Sequence, residues 1–256
     1  MITKYAKATI TSALNALGYK IERLVPRTPP PHYLQLDQRY AAIIKAVEPF
    51  TMTPYEKIAA MVDATRYVAR EKIPGGIVEC GVWRGGSMMA AALALRELDD
   101  FRDLYLFDTY AGMSPPTDKD IDYQGVKAAG RYLESHAGDH NEWCFAMLEE
   151  VQKNLRSTGY PEKRCYFVKG SVLETLPCRQ PEEIAILRLD TDWYESTLHE
   201  LKHLYPRLSH RGVLIIDDYG YWQGCQKAVD EFFAEKGPFF CRIDSTGLLG
   251  VIADGK

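Results

Sequence analysis

The sequence predicts an α/β fold: a doubly wound, mostly parallel sheet of seven strands with an antiparallel strand at one edge. From Gly75 onward, apolar runs such as GIVEC, LYLF, EIAIL and GVLII alternate with segments of helical period. These runs lack the in–out alternation of a half-exposed strand, so both faces are covered, as in a parallel sheet between two helical layers. The last two runs, FFCRID and GLLGVIA, flank Ser245-Thr246-Gly247 and read as a hairpin that adds the antiparallel strand.

The elements follow in order. Residues 1–50 read as an N-terminal helical and linker extension, and residues 51–256 as the main domain. The opening stretch MITKYAKATITSALNALGYKIERL is amphipathic and mildly basic. It has neither a continuous apolar stretch nor a small-residue cleavage site, so a helix packing on the domain or on a second subunit is expected rather than a signal peptide. Pro26 to Leu34, PRTPPPHYL, is an extended linker. A helix is expected near Gln38 to Val47, and another from Thr53 as N-cap, Pro54 at N1 and Glu56 at N3, with Ile58, Met61, Val62 and Val68 on its buried face. Strands then alternate with helices: GGIVECG, SMMAAALALREL, LYLFD, NEWCFAMLEEVQKNLRSTG, CYFVKG, a short turn SVLETLP, EIAILRLD, STLHELKHLYPRL, GVLIID and CQKAVDEFFAEKG. AGMSPPTDKDIDYQG and the stretch to His140 show little regular pattern. A loop of that length is expected to serve as a lid, with Tyr110, Met113 and Tyr123 as apolar walls.

A chain of 256 residues with 46% hydrophobic and 26% charged content suits one α/β domain with decoration. Its net charge of −4 gives no bulk electrostatic case for nucleic acid. No apolar run approaches the ~18 residues of a membrane span. Six cysteines without a CxxC pair point to reduced thiols and a cytoplasmic protein.

Sheets of this kind bind ligands beyond the carboxyl ends of their strands, and the polar clusters lie there. VECGVWRGGS places Gly81, Gly85 and Gly86 between the first strand and the first helix. The spacing is neither GxGxxG nor a P-loop, which argues against a dinucleotide pyrophosphate site and against a nucleoside triphosphate site. An acid in the strand end followed by G-x-x-x-G suits the carboxylate and amine of S-adenosylmethionine, with Glu79 accepting from the ammonium. Asp108 ends the second strand, where an acid binds ribose hydroxyls. Ser171 and Val172, after the third strand, are placed to flank an adenine ring. Glycines at a plain tight turn and a helix-capping aspartate are the alternatives.

Asp190 ends the fourth strand, and Asp217 and Asp218 end the fifth. Adjacent strands lie about 5 Å apart, so these carboxylates converge and repel. A divalent cation relieves the repulsion, and a few hard oxygen ligands with open positions suit Mg²⁺. Asp192 is the candidate general base beside it. The alternative is that the aspartates cap the following helices or pair with arginines such as Arg188. His199 and His203 have metal-compatible spacing but no evident third ligand, so a solvated face is expected.

ECGVWRGGS, LFDTYAGM with PPTDKDIDYQG, LRLDTDWYEST and IIDDYG, together and in order over about Thr51 to Phe233, resemble the macrocin O-methyltransferase family. The resemblance implies a class I methyltransferase, Rossmann-like fold with N-terminal helices. It implies an S-adenosylmethionine- and Mg²⁺-dependent transfer of a methyl group to a hydroxyl, on a sugar of a glycosylated natural product or surface glycan, or on a phenol. It further implies that Thr51, Met52, Glu79, Gly81 and Ser87 meet the cofactor with Asp108, that Asp190, Asp217 and Asp218 hold the metal, that Asp192 is the base with Asp190 also catalytic, and that N-terminal elements form a homo-oligomer, a dimer. Catechol methyltransferases use a lysine base three residues after the first metal ligand; here that residue is Trp193. Two other function classes compete: a metal-dependent phosphohydrolase, which FDTYAG and IIDD resemble without the second acid of an Asp-x-Asp pair, and a nucleoside-binding module without turnover.

Overall fold

The computed structural model describes residues 38–253; the expected first helix, the proline linker and the N-terminal dimer contact lie outside them. Helix α1 (Gln38–Val47) packs on α2 (Tyr55–Arg70) and α3 (Gly86–Glu97). Strands β1 (Gly76–Cys80) and β2 (Leu104–Asp108) flank α3 in sequence. Helix α4 (Ala128–Glu134) and a two-residue-per-strand hairpin, β3 (His136–Ala137) with β4 (His140–Asn141), precede α5 (Leu148–Ser157). Then come β5 (Cys165–Lys169), α6 (Val172–Thr175), β6 (Ile184–Leu189), α7 (Tyr194–Leu204), β7 (Leu208–Ile216), α8 (Gln223–Phe232), β8 (Phe240–Arg242) and β9 (Leu248–Val251).

The sheet order is β5-β2-β1-β6-β7-β9-β8. The first five strands are parallel, and β9 runs antiparallel to both neighbours. The hairpin thus sits at one edge as expected, with its second strand inserted between β7 and β8. Every residue of β1 and β6 is buried, as the unbroken apolar runs require. Strand order reverses between β1 and β6, so the crevice of a doubly wound sheet opens beyond their carboxyl ends.

Three sequence expectations need correction. Helix α2 starts at Tyr55 with Pro54 as its N-cap, because the Pro54 carbonyl accepts from the Lys57 and Ile58 N–H groups while the Thr53 hydroxyl faces Arg188 at 3.4 Å. The helix expected from Asn141 begins only at Leu148: Asn141 pairs in β4, and Cys144 takes a left-handed φ of 56° that no helix tolerates. The expected patternless lid is ordered by α4, by the β3–β4 hairpin and by bridges from Ile121 to Lys127 and from Asp122 to Trp222.

Candidate active site

A cavity of about 320 Å³ opens beyond β1 and β6, and every residue singled out for cofactor, metal or catalysis lines it. The glycine loop closes its floor tightly. Gly81 has φ +82°, and a Cβ there would lie 2.0 Å from the Asp190 carbonyl oxygen. Its glycine is therefore required by the approach of two strand ends. Asp108 binds this loop down: one carboxylate oxygen accepts from the Val82 N–H at 2.7 Å and the Trp83 N–H at 3.1 Å, the other from the Tyr110 N–H at 2.8 Å. Burial raises its pKa against those three bonds. Ser171 accepts from the Leu173 N–H at 3.3 Å and starts α6. The Thr51 hydroxyl accepts from the Thr53 N–H at 3.0 Å, and exposed Met52 forms part of the mouth.

Beneath the floor lies Arg188, among the largest fully buried side chains of the chain. It sits beside Glu79 in register and donates to Glu79, to Asp190 (2.6 Å) and to Asp217. Lys57, also buried, donates to the Asp217 carboxylate at 2.6 Å and to its carbonyl at 2.9 Å. The pairing with Arg188 that the sequence offered as an alternative is thus real for Asp190 and Asp217, and it coexists with convergence of Asp190 on Asp192 and Asp218. One oxygen each from Asp190, Asp192 and Asp218 lie within 4.8 Å of one another. Asp217, expected beside them, is the one turned toward the two cations.

The charges follow from this layout. Burial pushes the Glu79 carboxyl up to about 7, with Arg188 opposing. Burial, then the Asp190 charge, raises Asp192 to about 7. Asp190 and Asp218 are raised by burial and by their acidic neighbours, Asp190 against Arg188 and Asp218 against Lys57. Burial works on Asp217 too, but Arg188 and Lys57 outweigh it and hold that carboxyl below its usual range. Against these two cations stand five carboxylates, those of Glu79, Asp190, Asp192, Asp217 and Asp218. The buried oxygens Glu79 Oε2 and Asp218 Oδ2 have no partner among the described residues. An excess of acid with orphaned acceptors is what a divalent cation and a cationic ligand group would neutralise, so the residues fit both.

The loop bearing Asp190 and Asp192 is held from below. Asp192 adopts φ +70°, a region that aspartate tolerates. The Thr191 hydroxyl donates to Glu200 at 2.9 Å and lies 2.8 Å from the Ser196 hydroxyl. Glu200 is fully buried and raised by burial to about 8.

Of the expected walls, Met113 lines the cavity, but Tyr110 is buried with its hydroxyl donating to the Leu106 carbonyl at 3.0 Å. Tyr123 is 62% exposed and reaches the site only through Tyr221, 5.4 Å away in an edge contact. Phe50, Trp83 and Tyr221 supply walls that sequence reasoning missed. Trp193, where a lysine base would stand, is buried and donates its indole N–H to the Ser114 carbonyl at 2.9 Å. His199 and His203 are half-buried with rings 4.3 Å apart, outside the cavity.

Asp120 explains the order of the lid. Fully buried, it accepts from the Thr117 N–H (2.6 Å) and hydroxyl (2.9 Å) and from the Tyr194 N–H (2.8 Å) at the start of α7. The anion sits on the positive end of that helix. Gly224 in α8 packs so close that a Cβ would lie 2.2 Å from the carboxylate. Asp120→Ala is expected to lower stability by about 1–3 kcal/mol, the cost of orphaned buried donors. It should also speed amide hydrogen exchange across residues 114–127; unchanged exchange there would show that the lid does not depend on Asp120.

A sequence model of the macrocin-O-methyltransferase (TylF) family matches residues 29–248. The 8-demethyl-8-(2,3-dimethoxy-alpha-L-rhamnosyl)-tetracenomycin-C 4'-O-methyltransferase of Streptomyces olivaceus is 33% identical over 201 residues, 77% of this chain and 74% of that protein. Demethyldecarbamoylnovobiocin O-methyltransferase of Streptomyces niveus is 32% identical over 187 residues, 72% of this chain and 68% of that one. The solved structure of the O-methyltransferase NovP is similar with a TM-score of 0.70 at 29% identity, over 80% of this chain and 83% of that chain.

Proposed function

The chain belongs to the macrocin-O-methyltransferase family and is an O-methyltransferase, and from that premise we propose that it methylates a sugar hydroxyl of a glycosylated small molecule, using S-adenosylmethionine and Mg²⁺. Two relatives whose names specify the acceptor support this reading, one acting on a rhamnosyl-tetracenomycin and one on a demethyldecarbamoylnovobiocin. The observation that carries it is the convergence of Asp190, Asp192 and Asp218 in the same cavity as Glu79 and Asp108.

When bound, S-adenosylmethionine supplies an electrophilic methyl on sulfonium, and Mg²⁺ orients the acceptor and acidifies its hydroxyl. Glu79 offers its unpartnered Oε2 to the ammonium, Asp108 receives the ribose, and Ser171 and Val172 flank the adenine. Thr51, Met52, Gly81 and Ser87 complete the cofactor wall. Asp190 and Asp218 would hold the cation, with Asp217 beside them engaged by Lys57 and Arg188 and available as a third ligand on turning from those partners. Asp192 takes the hydroxyl proton as the oxygen attacks. The rate then comes from holding the hydroxyl in line with the methyl group and from charge neutralisation at the oxygen. The phosphohydrolase alternative finds no support, because the chain belongs to an O-methyltransferase family and Tyr110 stands where the second acid of an Asp-x-Asp pair would be.

Calorimetric titration with S-adenosylmethionine, in Mg²⁺ and then in EDTA, is expected to give saturable binding in both. Asp218→Ala should abolish Mg²⁺ binding and keep that of S-adenosylmethionine. No cofactor binding in either condition would remove the proposal. A panel of rhamnosides and phenols, with transfer read by mass, then identifies the acceptor class; turnover of phenols alone would replace the sugar reading.

A further inference from the structure

We propose that Trp222 is a positioning residue for Asp192 and couples that carboxylate to the lid; this rests on the reading of Asp192 as general base. The Trp222 indole N–H donates to Asp192 Oδ2 at 3.1 Å. The ring is buried and held by three aromatic neighbours: Trp193 at 4.9 Å, Tyr221 at 5.1 Å and Trp143 at 6.0 Å. A ring packed on several sides presents its N–H along one direction. Asp192 sits in the left-handed region, its loop is tied from below through Thr191, and its carboxylate meets Asp218 on the cavity side, which leaves the direction on the opposite side to be set from above. Trp222 does so.

The backbone around Trp222 belongs to the lid contact. Asp122 bridges to Trp222, the Gln223 N–H donates to the Ile121 carbonyl at 2.8 Å, and the Gln223 side chain donates to the Asp122 carbonyl at 3.0 Å. Trp193 holds Ser114, earlier in the same segment. Two tryptophans in edge contact therefore pin two points of the lid, and one of them also grips the carboxylate. A lid settled over an acceptor and an Asp192 aimed at its hydroxyl are one arrangement. Polar groups held by rigid neighbours are how active sites keep productive geometry.

The decisive variant carries β-(3-benzothienyl)alanine at position 222, which keeps the shape of the ring and replaces N–H by sulfur. Trp222→Phe is its simpler companion. With the rhamnoside that turns over fastest, kcat is expected to fall about tenfold, the effect of losing one hydrogen bond to a charged group. The KM for S-adenosylmethionine and the thermal midpoint should stay at wild-type values. Full kcat in the benzothienyl variant overturns the proposal, as does a loss expressed in cofactor affinity instead of kcat, which would mark a structural role. An acceptor-free arm uses ¹⁵N-labelled indole signals: Asp192→Ala should shift the Trp222 resonance and leave that of Trp193 in place, and an unmoved Trp222 signal overturns the coupling. Turnover surviving in Asp192→Asn removes the base reading itself. An inactive Asp192→Asn with a fully active benzothienyl variant removes only the role of Trp222.

Discussion

Asp192→Asn is expected to lower kcat about a thousandfold, within the range that general-base catalysis contributes, while cofactor affinity is retained. The substitution preserves size and one acceptor oxygen but cannot take a proton. In the proposed function cofactor affinity rests on other groups, Glu79 and Asp108, so calorimetry with S-adenosylmethionine should match wild type. The pH profile gives the same conclusion from another side. Burial and the Asp190 charge raise the Asp192 carboxyl to about 7. A base works deprotonated, so activity rises as pH climbs through that pKa, and Mg²⁺ beside it should move the rise to lower pH. Turnover within tenfold of wild type would exclude Asp192 as the base. Loss of Mg²⁺ binding together with activity would instead make Asp192 a metal ligand.

Arg188→Met is expected to cost about 3–5 kcal/mol, the penalty for stripping the partner from buried charges, and to lower the melting temperature by on the order of 10 °C. Methionine keeps much of the volume, so the loss is electrostatic. Three carboxylates, Glu79, Asp190 and Asp217, lose their shared donor. The deficit must depend on pH with a definite sign. An acid raised in the folded state adds its stability fully below the unfolded pKa, about 4, and loses it as pH rises through the folded value. Glu79, already at about 7, moves higher without Arg188. Asp217, now held low, contributes stability above the unfolded pKa, and the variant forfeits it. The Asp217 loss is already nearly complete at pH 5, so the Glu79 effect is what makes the deficit larger at pH 8 than at pH 5. Melting curves at the two pH values decide this; a deficit independent of pH would mean that Arg188 serves the fold by packing alone.

The strand ends were legible because their signals are local. IVEC, LYLFD, EIAILRLD and GVLIID each carry the buried run and the acid that follows it, and parallel pairing then brings Glu79, Asp108, Asp190, Asp217 and Asp218 together. What stayed hidden depends on distant partners. Lys57 meets Asp217 across 160 positions, and Asp120 meets Tyr194 across 74. A faint trace of Lys57 existed: it shares a helical stripe with Met61, Ala64 and Val68, where a lysine must have a buried counter-charge. No such trace marked Trp222, whose indole reads as core until its N–H is found on Asp192. The order of the expected lid segment was not legible because it comes from a buried carboxylate and from short bridges, one of them to Trp222 before α8, which have no periodicity to detect.

The chain has four tryptophans. Trp83 lines the cavity, and Trp143, Trp193 and Trp222 lie in mutual contact in the core behind it, with the Trp222 N–H on the cavity-lining Asp192. Indole fluorescence therefore originates from one ring in the chamber wall and from a trio joined to it through Asp192, and energy absorbed by any member of the trio passes readily to the others. Occupancy of the chamber should register as a change in intrinsic emission, with no label and no knowledge of the acceptor. The enzyme carries its own optical gauge, and candidate acceptors can be ranked by light before a single product is isolated.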